Sequence, residues 1–322
     1  MEDLSKIGFY TLSDKRAKET SIASKLQRCE LILTNKCNFK CPYCRGNDAT
    51  DLSLESALDI VSQWTKHDLQ NIRFSGGEPT LWRDLAGLVY VCKESKIKRI
   101  AISTNGSADF ELYEKLVELG ANDFSISLDA CCASTGDIMA GRRGIWEKVI
   151  DNIKRISKIA YTTVGVVLTP ENIGEIDGII RFAYSLGVAD IRIIPSAQWN
   201  SSIYPTVASE ILDTNPILKY RVANIKNGRH IRGISPTDSC KCPLVLDDMA
   251  VMNGKHYPCI IYLREKGKAI GNFSNINDVR IDRYTWFYEH NTHDDPICKN
   301  NCLDVCVDYN NKVREFKHDS EI

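Results

Sequence analysis

The sequence lacks a surplus of charge, a long apolar run and any low-complexity tract. Its 41 Lys and Arg against 42 Asp and Glu leave a formal net charge of −1. Nucleic acid is therefore not an expected partner, because binding by phosphate neutralisation takes a basic surplus. Hydrophobic residues make up 43% of the chain, with 19 Gly and 10 Pro. This composition excludes disorder and collagen-like repeats for the bulk of the protein.

Signals for export or membrane insertion are also missing. The first ten residues, MEDLSKIGFY, are too polar for a signal peptide. The apolar runs, such as 191–195, are far shorter than the ~20 residues of a membrane span. We therefore expect a cytoplasmic protein with no membrane partner. Because thiols stay reduced in the cytoplasm, the 13 cysteines predict metal binding or catalysis rather than a disulfide scaffold.

Strand-like and helix-like segments alternate along the first two thirds of the chain. Six short apolar runs predict strands at 30–34, 71–74, 99–103, 124–128, 162–168 and 190–194. Segments with helical periodicity lie between them, at 54–64, 85–92, 110–119, 145–159 and 173–186. This α/β alternation predicts a parallel sheet, either doubly wound or closed into a barrel or partial barrel. Both architectures bind ligands at the C-terminal ends of the strands.

The alternation stops near residue 236, which suggests four regions: an N-terminal extension (1–28), the α/β region (29–236), a Cys-rich region (237–309) and a tail (310–322). The Cys-rich region has six cysteines and a hairpin signal at Asn253-Gly254. It is expected to be a small second domain whose order depends on metal. The polar last residues predict a loose tail.

Three cysteines, Cys37, Cys41 and Cys44, follow the first strand in one loop. Three thiolates can ligate three irons of a [4Fe–4S] cluster and leave the fourth iron open to a substrate. A zinc site would take a fourth Cys or His close by, and the nearest histidine, His67, lies at the far end of the next helix. The three-thiol set therefore favours a cluster with an open coordination position.

Two motifs give the chain a resemblance to the radical S-adenosylmethionine (SAM) enzymes. Their CxxxCxxC loop, with an aromatic residue before the last Cys, is matched by Cys37, Cys41, Tyr43 and Cys44, and their Gly-Gly-Glu motif by 76–78. The resemblance implies a partial (β/α)6 TIM-like barrel whose [4Fe–4S] cluster chelates SAM. Reduction by a flavodoxin- or ferredoxin-like donor would yield a 5′-deoxyadenosyl radical. That radical would abstract hydrogen from a small-molecule or peptide substrate.

The same resemblance suggests which residues contact SAM. Gly76 and Gly77 would let the backbone approach the methionyl group, and Glu78 would stabilise its ammonium; the alternative is a tight turn with a solvated glutamate. Positions that contact the ribose or carboxylate in the family correspond to Asn105, Ser127 and Asp129. Arg142 or Arg143 could pair with the carboxylate. Capping or surface roles are the alternative for these residues.

The C-terminal cysteines resemble the extension called SPASM, or its shorter relative twitch. Eleven residues separate Cys242 from Gly254, and four separate Gly254 from Cys259, as in the opening of those domains. Two fully ligated clusters would take eight cysteines, so the resemblance implies one auxiliary [4Fe–4S] cluster. Its four ligands would come from the six C-terminal cysteines: Cys240, Cys242, Cys259, Cys298, Cys302 and Cys306. Structural zinc is the alternative.

An auxiliary cluster could accept the electron left after hydrogen abstraction, which favours a net oxidation. The alternative reaction is epimerisation, in which a thiol returns a hydrogen atom to the substrate. Cys131 and Cys132 follow the fourth strand and are the candidate donors, although small thiols also pack under loops. A third interpretation is a non-catalytic zinc protein on an α/β scaffold.

Overall fold

The computed structural model describes residues 11, 13–24, 26–46, 48, 50–67, 69–201 and 203–317. All six predicted strands are present, each within two residues of its expected ends. They are β1 (Arg28–Thr34), β2 (Asn71–Gly76), β3 (Arg99–Thr104), β4 (Asp123–Ser127), β5 (Tyr161–Leu168) and β6 (Asp190–Pro195). These runs are apolar and rich in β-branched residues. Such residues suit strands that are buried in a sheet covered by helices.

The strands pair in chain order, β6-β5-β4-β3-β2-β1, and every pair is parallel. A doubly wound sheet would instead reverse its strand order at a switch point. The unreversed order is that of a partial (β/α)6 barrel. The choice that the sequence left open is thus decided in favour of the barrel.

Helices follow the strands of the barrel. Five match the predicted periodicity: α2 (Leu54–Thr65), α3 (Leu85–Glu94), α4 (Phe110–Glu118), α6 (Trp146–Ile156) and α7 (Ile176–Ser185). Helix α5 (Ala133–Ala140) was not predicted, because its sequence ASTGDIMA has no amphipathic period. Its Gly136 faces Trp146 so closely that a Cβ would lie 2.0 Å from the indole ring. The other helices outside the C-terminal part are α1 (Asp14–Glu19), α8 (Ser209–Thr214) and α9 (Pro216–Lys226).

The Cys-rich region continues the barrel sheet instead of standing apart from it. Strand β7 (Asp248–Met252) pairs in parallel with β1, and the hairpin to β8 (Lys255–Tyr257) turns at Asn253-Gly254 as predicted. Met249 and Val251 belong to the same buried core as the barrel. The boundary predicted at 236 therefore does not coincide with a break in the sheet. The remaining elements are β9 (Gly271–Asn272), α10 (Ile260–Arg264), α11 (Ile276–Glu289), α12 (Pro296–Asn301) and α13 (Asp304–Phe316).

The prediction of a loose tail from residue 310 is wrong as far as residue 316. Helix α13 runs to Phe316 and buries Val313 together with Asn310. The N-terminal helix α1 packs against α13, and the Arg16 guanidinium of α1 donates to the buried Asp247 carboxylate at 2.7 Å. Residues 1–10 and 318–322 lie outside the described part of the chain. Within that part, no helix is both long and apolar enough to cross a bilayer.

Candidate active site

A cavity of about 780 Å³ opens at the C-terminal ends of the barrel strands. The structure brings most of the predicted site residues to its wall: Cys37, Cys41, Cys44, Gly76, Gly77, Asn105, Ser127 and Asp129. Much of the apolar wall comes from the α5–α6 region, including Met139 and Trp146, and the cysteine loop and strand ends add Phe39, Val167 and Ile194. One cavity thus joins the cysteine loop to the strand ends, where a parallel barrel binds its ligands.

The cysteine loop presents its three thiols to this cavity. Cys37 and Cys44 are exposed there, and Cys41 is half-buried. The backbone N–H of Phe39 donates to Cys37 Sγ at 3.4 Å, and that of Gly46 donates to Cys44 Sγ at 3.3 Å. Burial raises the pKa of Cys41 to about 12. A bound metal cation is therefore needed to hold this thiol as a thiolate.

The glycine pair lies directly against the start of the cysteine loop. A Cβ at Gly77 would lie 2.3 Å from the Lys36 carbonyl oxygen and 2.6 Å from that of Asn35. A Cβ at Gly76 would lie 2.3 Å from the Thr34 carbonyl oxygen, and the φ angle of Gly76 is +145°. No other residue fits these two positions without moving the backbone. The glycines therefore position the loop as well as line the cavity.

Glu78 is 1% exposed and does not line the cavity. Its carboxylate accepts hydrogen bonds from the Thr104 hydroxyl at 2.7 Å, the Asn105 N–H at 2.7 Å and the Thr80 hydroxyl at 2.7 Å. Burial raises the pKa of Glu78, and these donors oppose the shift. The carboxylate thus ties the ends of β2 and β3 together and positions Asn105, whose amide donates to Asn38 Oδ1 at 2.8 Å. Contact between Glu78 and the SAM ammonium stays a prediction.

Asp129 anchors the cysteine loop to the barrel. Its carboxylate accepts one hydrogen bond from the Tyr43 hydroxyl and another, at 2.7 Å, from the Val167 N–H. Burial raises the pKa of Asp129 to about 6. Tyr43 is the aromatic residue of the cysteine motif. One residue of the motif thus holds the cysteine loop to the barrel through Asp129. Ser127, the last residue of β4, is exposed in the cavity two residues before Asp129.

The structure places Arg142 outside the cavity. The residue is exposed and lines a shallow depression on the surface with Asp137 and Arg143. Its guanidinium reaches the Asn38 carbonyl oxygen at 3.4 Å. The Arg142 guanidinium thus contacts the cysteine loop from outside the cavity, and its pairing with the SAM carboxylate stays a prediction.

Cys131 and Cys132 also lie away from the cavity, contrary to the prediction of a hydrogen-atom donor. Cys131 Sγ is 3.8 Å from the Glu175 carboxylate, and Cys132 begins helix α5 with its thiol beside the Ser134 hydroxyl. Cys131 packs against helix α7, with its Sγ 3.4 Å from the Cβ position of Gly178, and neither thiol lines the cavity. The packing interpretation of this cysteine pair is therefore the better one.

Sequence reasoning missed three arginines that line the cavity, Arg192, Arg232 and Arg264. For Arg192 a signal was available, because a charged residue interrupts the apolar strand DIRIIP. Its guanidinium donates to the hydroxyls of Ser125 and, at 3.1 Å, of Thr163. Burial lowers the pKa of Arg192 to about 10. No local signal marks Arg232 or Arg264.

The C-terminal cysteines surround a second, small cavity with largely apolar walls. Five of the six line it: Cys242, Cys259, Cys298, Cys302 and Cys306. Cys240 is exposed and lies outside it, which removes it from the predicted ligand set. Burial raises the pKa of Cys242 to about 11 and also raises the pKa of Cys259 and Cys298. These thiols, too, need a cation to become thiolates.

Thiol spacing bears on which metal each site could hold. A zinc ion holds four thiolates about 3.8 Å apart, since Zn–S is about 2.3 Å in a tetrahedral site. Among the described residues, the trio whose ligand atoms all lie within 4.8 Å of one another is His290, Asp295 and Cys298. No trio of cysteines in that part of the chain meets this limit. A [4Fe–4S] cluster at either site stays a prediction.

Comparison with known proteins supports the same family. Residues 31–183 match the model of the Radical SAM superfamily. A probable GTP 3',8-cyclase of Sulfurisphaera tokodaii is 30% identical over 175 residues, which span 52% of this chain and 56% of that protein. A probable GTP 3',8-cyclase of Methanocaldococcus jannaschii is 27% identical over 256 residues, or 74% of this chain and 86% of that protein. The chain thus spans only about half the length of the first of these relatives.

Solved structures share the fold. Streptococcus suis SuiB bound to S-adenosylmethionine superposes with a TM-score of 0.59 at 19% identity, covering 85% of this chain and 67% of that one. The protein anSMEcpe with bound AdoMet and Cp18Cys peptide gives a TM-score of 0.56 at 16% identity, covering 90% and 95%. At these identities the likeness concerns the fold alone. Residues 31–183, a little under half of the chain, are thus similar to the Radical SAM superfamily, and the cysteine loop lies within this match.

Proposed function

We propose that the protein is an enzyme that reductively cleaves SAM and uses the resulting radical to take a hydrogen atom from a substrate in the same cavity. The observation that carries this proposal is the presentation of three thiols of one loop to a cavity of about 780 Å³. Ligand pockets typically measure about 300–1,000 Å³. The cavity is therefore large enough for SAM and a small substrate together.

The chain's own residues position and shield the reaction. Cys37, Cys41 and Cys44 would hold a [4Fe–4S] cluster, which when reduced supplies the electron that splits SAM into methionine and a 5′-deoxyadenosyl radical. The Asp129–Tyr43 hydrogen bond and the glycine turn hold the loop in place. Apolar side chains of the α5–α6 wall keep water away from a reactive intermediate.

An auxiliary cluster is the second part of the proposal. Five thiols around one cavity exceed the four that a [4Fe–4S] cluster takes, and their spacing is wider than zinc requires. Such a cluster would supply an electron acceptor, so that loss of a hydrogen atom, an electron and a proton from the substrate makes a two-electron oxidation. We therefore retain oxidation as the main reaction. Epimerisation has less support, because Cys131 and Cys132 are not among the residues that line the cavity.

A second candidate is the reaction for which the curated relatives are named, the cyclisation of GTP. The match to the Methanocaldococcus jannaschii protein, which extends over 86% of that chain, favours it. A cyclised form of GTP is a different product from an oxidised small molecule. Product analysis with GTP therefore separates the two candidates.

The test is anaerobic reconstitution with iron and sulfide, followed by SAM and dithionite. About eight irons per chain with 5′-deoxyadenosine would support the two-cluster enzyme, and about four irons with SAM cleavage would remove the auxiliary cluster. Replacing Cys37, Cys41 and Cys44 with Ala should abolish cleavage. Cys132→Ser is the matched control, because this thiol lies outside both cavities. Unchanged 5′-deoxyadenosine production in the triple variant would overturn the proposal.

A further inference from the structure

We infer that the main cavity binds a small molecule with several negative charges, and that Arg192, Arg232 and Arg264 are its specificity-determining residues. All three guanidinium groups line the cavity that also holds the cysteine loop. The inference rests on the proposed function, because it names the class of substrate for the same cavity.

The wall of the cavity carries more positive than negative charge. Its cationic side chains are Lys40 and the three arginines, and its one acidic side chain among the described residues is Asp129. The Asp129 carboxylate already accepts hydrogen bonds from Tyr43 and Val167. One carboxylate among four cationic side chains leaves the wall with a net positive charge, and the partial burial of the three arginines strengthens their attraction for an anion.

Arg192 lines the cavity and forms no ion pair with a carboxylate of the described residues. Its hydrogen bonds go to hydroxyl groups, and its buried Nε finds no acceptor among the described residues. The nearby Asp123 is engaged elsewhere, accepting from Arg99 Nε at 2.8 Å and lying 3.6 Å from Arg73. A buried guanidinium without a counter-charge is costly. A bound anion would offset that cost.

The other two arginines line the cavity and form no ion pair with any described residue. Arg232 donates to the carbonyl oxygens of Pro195 at 2.8 Å and Asn301 at 3.4 Å. Glu265, which attracts Arg232, is already paired with Arg45 at 2.5 Å. Arg264 is half-buried and makes no hydrogen bond or ion pair with any described residue. Most of the N–H donors of both side chains therefore remain available to a ligand.

SAM alone would not neutralise these groups. SAM carries one carboxylate against a sulfonium and an ammonium, so its net charge is positive, and a single carboxylate can pair with only one of three guanidinium groups. The remaining arginines call for a further ligand with at least two anionic groups. Guanidinium forks bind both phosphate and carboxylate in a bidentate manner. The ligand class is therefore a small polyanion, whose charges could be carried by phosphate or by carboxylate groups.

The experiment measures ligand binding to the reconstituted enzyme by anaerobic calorimetry. The probes are GTP and tripolyphosphate for phosphate, citrate for carboxylate, and guanosine as the uncharged comparison. We expect at least one polyanion to bind ten times more tightly than guanosine. Its affinity should fall as the salt concentration is raised. Binding of GTP and tripolyphosphate alone would assign phosphate, and binding of citrate alone would assign carboxylate. Equal binding of guanosine and GTP, with no binding of the other anions, would overturn the inference.

The variant Arg264→Gln should weaken polyanion binding by about ten- to a hundredfold, the range for one charge-assisted hydrogen-bonded pair. Folding should be unaffected, because Arg264 has no partner within the described residues. Arg83→Gln is the matched control, since that side chain is 91% exposed on the outside of the barrel. Polyanion affinity that is the same in both variants would contradict the assignment. SAM cleavage without substrate, read as 5′-deoxyadenosine, is measured separately and tests the proposed function alone.

Discussion

At residue scale, the site depends on close approaches that leave no room for side chains. Gly77 is pressed against the carbonyl oxygens of Lys36 and Asn35, directly before the first cluster cysteine. Tyr43 and Asp129 fix the other part of the loop by a hydrogen bond. Both contacts act on the loop rather than on a ligand, so their loss should be visible in the iron content as well as in SAM cleavage.

Gly77→Ala is expected to displace the cysteine loop, because the new Cβ would lie 2.3 Å from a backbone oxygen that cannot move independently. We predict a loss of most of the reconstituted iron at this site and at least tenfold slower 5′-deoxyadenosine formation. Gly87→Ala is the control, since nothing lies within 4 Å of its Cβ position. Normal iron content in the Gly77 variant would show that the loop does not depend on this contact.

Tyr43→Phe removes the hydroxyl that donates to Asp129. A buried carboxylate that loses a hydrogen-bond donor costs about 1–3 kcal/mol, so the free energy of unfolding should fall by that amount. SAM cleavage should slow several-fold because the loop is less well held. Urea unfolding and the rate of 5′-deoxyadenosine formation check the two effects, with Tyr90→Phe, an exposed tyrosine, as the control. Unchanged values in both assays would contradict the anchoring role.

At element scale, buried polar groups connect secondary structure that the hydrophobic pattern leaves unconnected. Asp190, at the start of β6, accepts hydrogen bonds from the N–H groups of Ile217 at 2.8 Å and Leu218 at 3.2 Å. These are N-terminal donors of helix α9, which the helix itself cannot satisfy. Asp190 is completely buried, and burial raises its pKa to about 6.

The raised pKa predicts how the stability of the β6–α9 connection depends on pH. The folded state keeps the Asp190 proton up to about pH 6, whereas an unfolded aspartate loses it near pH 3.9. The stabilisation of the folded state by the Asp190 proton is thus fully present below about pH 4. The free energy of unfolding then falls by roughly 2–3 kcal/mol as the pH rises through 6. Asp190→Asn should abolish this part of the pH dependence in urea unfolding, while Asp213→Asn, on the surface, should not. A stability difference between wild type and Asp190→Asn that is constant from pH 4.5 to 7.5 would contradict the prediction.

At the scale of the whole molecule, the barrel and the Cys-rich region form one sheet. Strand β7 pairs with β1 from Arg28–Asp248 to Leu31–Val251. Ile276 and Val279 of α11 join Met249 and Val251 in the core of the barrel. On the outside, Arg16 of α1 is tied to Asp247 next to β7. Core packing and strand pairing across this junction predict a single cooperative unit.

Removal of residues 237–322 should therefore destabilise the barrel itself. The truncation leaves the edge of β1 unpaired and exposes apolar side chains such as Leu31, which is 0% exposed in the full chain. We expect the shortened protein to aggregate, and the full chain to unfold in one calorimetric transition. A soluble 1–236 fragment with the thermal midpoint of the full chain would show that the two regions are independent.

The sequence by itself determined the elements and the first cysteine site of this protein. The six barrel strands, most of the helices and the Cys37–Cys44 loop follow from local periodicity and spacing, which a few neighbouring residues encode. Helix α5 was missed because its sequence lacks such a period. The end of α13 was missed because most residues after 310 are polar, although Val313 among them is buried.

Only the tertiary structure decided which distant residues meet. It brought five cysteines together and left Cys240 outside, turned Cys131 and Cys132 away from the cavity, and aligned β7 with β1. It also collected Arg192, Arg232 and Arg264, from three separate segments, around one cavity. The physical reason is that such convergence depends on the direction in which each strand end and loop leaves the packed core, and spacing along the chain does not encode that direction.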